Sequence, residues 1–403
     1  MFNYSDPMRP KLLALVASLA LLTAGCGSSS ELPSNLSGKT GHASSTHAAP
    51  SSPAATTTKA PVDVPARPGE TFQTIQFNDA YQPSSPTLSG NDDYRCFLAD
   101  PKVKTDQFVN GVTVTPGNPK LVHHVIIFKV DPSAVADAQA QDAAEDGPGW
   151  TCFGGTGLDR GPGGNLDKSA WIAGWAPGGA ERVMAKDIGV PLAKGARVIV
   201  QVHYNLLAGE GTDTSTVRLR LSPAKGSDKK PLQTMLLPAP VELPCRPGVT
   251  SSLCDRTRAV GDIRARFDEN PATADLIHLL CGDIKPGKVQ SCTRTVREPA
   301  TIRSVAGHMH LLGRAITIDI NKGTPKARRV LDITNWDFDN QTGEVLKKPA
   351  ALKVGDKLTV TCTHDQSLRD ALPAFEGQKE RYVAWGEGTT DEMCLGIVLL
   401  TRP

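Results

Sequence analysis

The sequence predicts an all-β fold built from antiparallel sandwiches, and three observations predict it. Short β-branched or alternating runs recur between turns: "TIQF", "VTVT", "HHVIIFKV", "RVIVQVHYNLL", "TVRLRLS", "AITIDI", "KLTVTCT" and "LGIVLL". Glycine (37) and proline (31) are plentiful and punctuate those runs. Only "SAVADAQAQDAAE", residues 133–145, reads as an amphipathic helix, and it is short.

The elements follow in chain order. Residues 1–25 read as a lipoprotein signal peptide: Arg9 and Lys11 precede an apolar run from Leu12 to Leu22, and small residues lead to Cys26. The run falls short of the ~20 apolar residues needed to span a bilayer. "LTAGC" resembles a lipobox, which implies cleavage before Cys26 and lipid on its sulfur; plain secretion with Cys26 as an ordinary thiol is the alternative. Gly27 is not an inner-membrane retention signal, so the expected place is the bacterial cell envelope, lipid-anchored at the outer membrane. Residues 26–67 are rich in Ser, Thr, Ala and Pro, with too little apolar surface to offset ordering entropy, and read as a disordered tether. His42 and His47 lie there and read as idle. The remainder has room for two domains, 68–224 and 225–403, with a seam at the polar, turn-rich "SPAKGSDKKP". A net charge of +2 without a basic patch argues against a nucleic-acid partner. Contact with a membrane is expected only through the lipid.

Nine cysteines less Cys26 leave eight: Cys96, Cys152, Cys245, Cys254, Cys281, Cys292, Cys362 and Cys394. An even number in an exported chain implies up to four disulfides. The absence of any C-x-x-C argues against a structural zinc site or a thioredoxin-like motif.

The histidines carry the chemistry. His123 and His124 open an apolar strand, where neighbours point to opposite faces. Both reach one metal only if the backbone bulges or the rings ligate through different nitrogens. Taken alone, the pair fits a structural role as well as a metal one. His203 stands on a period-two strand with Gln201 on the same face; a lone strand histidine is more often a core or surface residue. In "SVAGHMHLLG", His308 and His310 are two apart, so both rings leave one side of an extended segment while Met309 points into the core. Gly307 and Gly313 permit a bend or a close approach. Met393, beside Asp391 and Glu392 at a strand entrance, is one of only six methionines, and its thioether is a soft donor suited to Cu(I). His278 and His364 read as structural or surface. Two clusters of three donors each leave an open position, the pattern of a reactive metal site.

"LVHHVIIF", "VIVQVHYN", "GHMHLLG" and "TTDEMC", in that order from about residue 90 onward, resemble the copper type II, ascorbate-dependent monooxygenases, the family of peptidylglycine α-hydroxylating and dopamine β-monooxygenases. The resemblance implies two jelly-roll-like sandwiches facing across a cleft, with one copper ion on each. His123, His124 and His203 resemble the ligands of the electron-storing copper. His308, His310 and Met393 resemble those of the copper where O2 is activated, and Gln201 a glutamine near the first site. The implied reaction hydroxylates a substrate C–H bond with O2 and electrons from ascorbate or another one-electron reductant. Cys96–Cys152 and Cys362–Cys394 resemble family disulfides, the second holding Met393 through its neighbour. Nearness in sequence suggests Cys245–Cys254 and Cys281–Cys292.

The departures concern the substrate. Peptidylglycine enzymes have an arginine two residues before the H-x-H pair, where Ala306 stands here, and asparagine and tyrosine after Met-Cys, where Leu395 and Ile397 stand. A carboxylate would lack its guanidinium partner from that position. The expected small-molecule substrate is therefore not a glycine-extended peptide, and the pocket reads as apolar, with Arg303 or Arg314 as other routes to a cation. Two further readings compete: a non-catalytic copper-binding envelope lipoprotein, and a blue-copper carrier using a Cys394 thiolate, which a disulfide at Cys394 would exclude.

Overall fold

The computed structural model describes residues 64–403 except 87–89, 159–165, 178, 268–271, 283–284 and 342. The expected signal peptide, Cys26, His42, His47 and nearly all of the expected tether lie outside the described residues. The described residues fall within one compact unit.

The fold is all-β, as its alternating runs predict. The strands of the first half are β1 (Thr71–Gln76), β2 (Asp92–Ala99), β3 (Gln107–Thr115), β4 (Val122–Val130), β5 (Trp150–Thr151), β6 (Trp171–Trp175), β7 (Ile188–Leu192), β8 (Arg197–Asn205) and β9 (Thr216–Pro223). Those of the second are β10 (Lys230–Pro238), β11 (Glu242–Leu243), β12 (Val289–Thr295), β13 (Ala300–His308), β14 (Gly313–Ile320), β15 (Arg328–Ile333), β16 (Glu344–Leu352), β17 (Lys357–His364), β18 (Val383–Ala384) and β19 (Leu395–Thr401).

A five-stranded sheet, β5-β2-β8-β4-β6, belongs wholly to the first half, and a four-stranded sheet, β12-β17-β14-β15, wholly to the second. The third sheet is shared. It runs β1-β9-β3-β7-β10-β19-β13-β16, so four strands of each half lie side by side. The join is a short parallel contact, Lys230 with Ile188 and Pro231 with Gly189, at the polar seam; the ladders on either side are antiparallel. Each half thus packs its own sheet against its end of the common one. The apolar cores follow this division: Ile75, Phe97, Val109, Val125 and Val202 in one cluster, and Leu237, Ile302, Ile316, Val360 and Leu400 in another. A smaller cluster gathers Trp150, Phe128 and Ile199 around Cys96 and Cys152.

Of the helices, Val135–Asp142 (α1) falls within the predicted stretch. Two more lie between β11 and β12: α2 (Arg256–Phe267) and α3 (Thr273–Cys281). The α2 sequence is strongly polar, yet Ala259, Val260, Ile263 and Phe267 recur at helical spacing and are the residues it buries. That thin stripe was the available signal.

The disulfides are Cys96–Cys152, Cys245–Cys254, Cys281–Cys292 and Cys362–Cys394, the same pairs that the resemblance and sequence proximity suggest. Cys394 therefore has no thiolate to offer, which removes the blue-copper reading.

Candidate metal centres

β8 is the central strand of the five-stranded sheet, buried along almost its whole length, and it places His203 directly opposite His124 on β4. Opposed residues of an antiparallel ladder project from one face. Between Val122 and His124 the register slips, making His123 the extra residue of a β-bulge. The bulge brings the third ring to the same point. The three Nδ1 atoms stand 3.2 Å (His123 to His124), 3.3 Å (His123 to His203) and 3.3 Å (His124 to His203) apart.

Three ring nitrogens so placed cannot satisfy one another. Each presents either a hydrogen or a lone pair, so at least two of the three are alike and face each other. A triangle with 3.3 Å sides has its centre about 1.9 Å from each corner (3.3 Å divided by √3), close to a metal–imidazole bond of roughly 2.0 Å. The donor set fits a metal. Burial, then the neighbouring His203 ring, holds His123 and His124 well below the usual histidine range, in the neutral form that ligates.

Surrounding groups fix the rings. His203 Nε2 donates to Asp92 Oδ1 at 2.8 Å, which leaves Nδ1 as the lone pair aimed at the centre. Asp92 also accepts from the Thr389 hydroxyl and, at 3.1 Å, from its backbone N–H. Burial acts to raise the Asp92 carboxyl, but these hydrogen bonds hold it below its usual range. Tyr94 stacks on His203 with centroids 4.0 Å apart, and Phe338 on His123 at 4.3 Å. Gln201, expected near this cluster, turns its amide to the Cys152 carbonyl at 2.8 Å and braces the Cys96–Cys152 loop.

The second cluster lies where β13 ends. Gly307 admits a close approach, because a Cβ there would meet Ile316 Cγ2 at 2.7 Å. His308 Nδ1 donates to Gln341 Oε1 at 2.6 Å, and Gln341 Nε2 donates to Phe338 O at 2.9 Å, which fixes the amide and frees His308 Nε2. Desolvation and the adjacent His310 push His308 down to about 3. His310 is buried with neither ring nitrogen hydrogen-bonded, an arrangement costly for an idle imidazole and suited to a ligand. The two rings lie 5.2 Å apart. Met309 is fully buried, on the core side as expected.

Met393 is joined to this pair through the backbone. His308 pairs with Leu395, two residues beyond Met393, at the end of the β13–β19 ladder. The buried Glu392 carboxylate accepts the N–H groups of His310 (3.0 Å), Met393 (3.1 Å) and Leu312. His364 lies against both Glu392 Oε2 (3.3 Å) and the Met393 carbonyl (3.2 Å). The Met393 side chain is buried in the second core cluster. Asp92 and Gln341 had no motif to mark them; Thr389 and Glu392 sat within the "TTDEMC" segment already of interest, though with no role assigned.

The clusters face each other closely, with the His124 and His308 rings 5.6 Å apart. Both histidines line one cavity of about 400 Å³, whose walls are mostly apolar: Trp171, Ile172, Trp175, Val345, Ile397 and Leu399 among others. Ala306 also lines it, and so does Arg303, while Arg314 lies on the exposed surface.

Residues 289–400 match the family model "Copper type II ascorbate-dependent monooxygenase, C-terminal domain". That span contains His308, His310 and Met393, but not the three-histidine cluster. No curated protein matches the chain. Among solved structures, an allantoicase is 10% identical with a TM-score of 0.18, covering 83% of this chain and 90% of that one. A fucolectin from Morone saxatilis (striped bass) serum is 8% identical with a TM-score of 0.18, covering 83% and 97%. The Saccharomyces cerevisiae allantoicase is 9% identical with a TM-score of 0.19, covering 83% and 90%. At such scores none of them carries an argument.

Proposed function

We propose that this chain, whose residues 289–400 match the C-terminal-domain model of the copper type II, ascorbate-dependent monooxygenases, is a copper monooxygenase that hydroxylates a C–H bond of a small molecule, using O2 and ascorbate or another one-electron reductant. Two copper ions per chain are proposed, one held by His123, His124 and His203, the other by His308, His310 and Met393. The observation that carries this reading is the convergence of three Nδ1 atoms, 3.2–3.3 Å apart, with His124 of that cluster and His308 of the second pair lining one cavity.

Copper at these positions would supply one-electron redox chemistry and an open coordination position for O2. The chain's own residues do the rest. Asp92 keeps the proton of His203 on Nε2, and Gln341 keeps that of His308 on Nδ1, so the opposite nitrogens stay free. Glu392 holds the backbones of His310 and Met393 in one place. The Met393 thioether, as a soft donor, favours the reduced metal. The apolar wall admits a hydrocarbon body and limits water around the reacting bond. The signal pattern ending at Cys26 supports anchorage of the enzyme in a bacterial envelope by lipid.

The test is a metal count on the purified chain, followed by O2 uptake with ascorbate across a panel of C–H substrates. Two coppers per chain and substrate-dependent O2 consumption coupled to hydroxylated product are expected. Two coppers with no coupled uptake would leave only a copper-binding protein, and a chain that takes up no copper would end both readings.

A further inference from the structure

Asp92, which orients His203, and Glu392, which gathers the backbones of His310 and Met393, meet at one turn, residues 386–392 between β18 and β19. Thr389 of that turn bonds Asp92, and the Glu387 carbonyl accepts from the hydroxyl of Tyr94, the ring stacked on His203. Asp391 closes the turn on itself. Its backbone N–H donates to Gly388 O at 2.8 Å, and its Oδ2 accepts from the Gly388 N–H at 3.2 Å. A Cβ on Gly386 or Gly388 would stand 2.9 Å from that oxygen, so the chain passes close to it only as glycine.

The Asp391 carboxylate is 2% exposed, and Arg266 meets its charge, with Nη2 at 2.6 Å from Oδ1. Arg266 is the penultimate residue of α2, and its Nε is fixed by Asp262 Oδ2 at 3.0 Å, one helical turn back. Phe267, which ends the helix, packs edge-on against Phe153 with centroids 4.7 Å apart, and Phe153 lies beside Tyr94 at 5.5 Å. α2 precedes residues 289–400, so the family-model match assigns it nothing.

We propose that Arg266 is a positioning residue for both metal centres: through Asp391 it fixes the turn from which Thr389 orients His203 and Glu392 places His310 and Met393. Without the guanidinium, a buried carboxylate is left unpaired, and the turn opens to bring it to water. That the centres hold copper rests on the function proposed above. That Arg266 fixes the turn does not.

Two measurements on the full chain test this. The first is amide exchange of the metal-free chain, in which Arg266→Gln should speed exchange at Gly388, Thr389, His310, Leu312 and Met393 about tenfold or more. The second is Cu(I) affinity by competition with a chelator, each cluster read by itself in a Met393→Ala or a His203→Ala background. Arg266→Gln should weaken both clusters about 3- to 30-fold, less than loss of a group that touches a ligand ring. Arg266→Lys keeps a positive charge beside Asp391 and should recover most of that loss. Arg381 is the control. It pairs with the same Asp262 at 2.7 Å and donates to Ala259 O at 3.1 Å, both partners lying on α2. Arg381→Gln should lower stability in urea much as Arg266→Gln does, yet leave exchange at the turn and copper affinity within about twofold of the parent.

Unchanged exchange and affinity in Arg266→Gln overturn the proposal, and so does weakening of one cluster alone. Equal losses in Arg381→Gln overturn it as well, because Arg266 would then act through general stability. If Arg266→Gln does not fold, Asp391→Asn takes its place with the same expected results, and parent-like exchange and affinity refute the role. A parent chain that binds no copper, with exchange faster in the variant, removes the copper reading and leaves the positioning role standing. Copper bound by the parent and unaltered by Arg266→Gln does the reverse.

Discussion

In the three-histidine cluster, two rings are held by side chains: His203 by Asp92 and Tyr94, and His123 by stacking on Phe338. In the second cluster only His308 has a side-chain hydrogen bond, to Gln341, while His310 is held through its backbone alone. One cluster is oriented ring by ring. The other is oriented by a single carboxylate, Glu392, that gathers backbone N–H groups from two chain segments. The difference teaches how each will fail: the first by degrees, as each orienting contact is removed, and the second all at once. Both depend on residues 389–392, because Thr389 bonds Asp92 of the first cluster and Glu392 serves the second.

The largest expected effect breaks the comparison at its soft donor. Met393→Ala should lower hydroxylation by roughly 100-fold or more while the three-histidine cluster keeps its metal. Turnover together with copper per chain checks this, and loss of both metals would show that the clusters are not separable. Next is Glu392→Gln. An amide cannot accept three N–H groups as a carboxylate does, and its own NH2 would face them. The cost should be about 2–4 kcal/mol in urea unfolding, together with loss of metal at the second cluster only.

A smaller effect is expected on the other side. Asp92→Asn leaves the His203 ring in place but loosens its tautomer, so copper affinity at the first cluster should fall about 10- to 100-fold, with the second unchanged. Competition against a chelator reads this. Should both sites weaken equally, the coupling through residues 389–392 is stronger than the hydrogen bonds suggest.

The smallest effect comes from a control that sharpens the contrast. Glu242, His278, Arg256 and Tyr382 form a network in which the carboxylate is fully paired. Burial acts to raise Glu242, but the hydrogen bonds from Arg256 and Tyr382 leave it below its usual value of 4.5. A depressed carboxylate adds stability that is present above about pH 4.5 and is lost as pH falls through the lower folded value. Glu242→Gln should lower stability by about 1–3 kcal/mol at pH 7 and flatten its decline between pH 5 and pH 3. Copper content should not change. If it does, the satisfied network and the metal clusters are not independent.

Much of the site was legible from residue types and spacing. The candidate donors, the two-apart spacing of His308 and His310, and the need for a bulge at His123 are all properties of short stretches. The strand class was legible for the same reason, since alternation shows in a few residues at a time. The α2 helix escaped because only four of its residues are apolar enough to be buried. Asp92, Thr389, Gln341 and Glu392 escaped because an acid, a hydroxyl or an amide looks the same in a loop facing water as in a site.

The cavity wall shows the same limit from the other direction. Ala306 announced an apolar stretch of wall with no cation at that position, and Arg303, the cation of the same strand that lines the cavity, is paired with Asp187. Folding brings another guanidinium, that of Arg182, to the wall from a loop more than a hundred residues earlier. By itself, the sequence determined the β architecture, the parity of the cysteines and which side chains are candidate donors, because periodicity and donor chemistry are local. Only the tertiary structure decided which carboxylate orients which ring, how near the two clusters stand and where the cavity's charge comes from. Those depend on register and burial, which bring together groups that no local pattern connects.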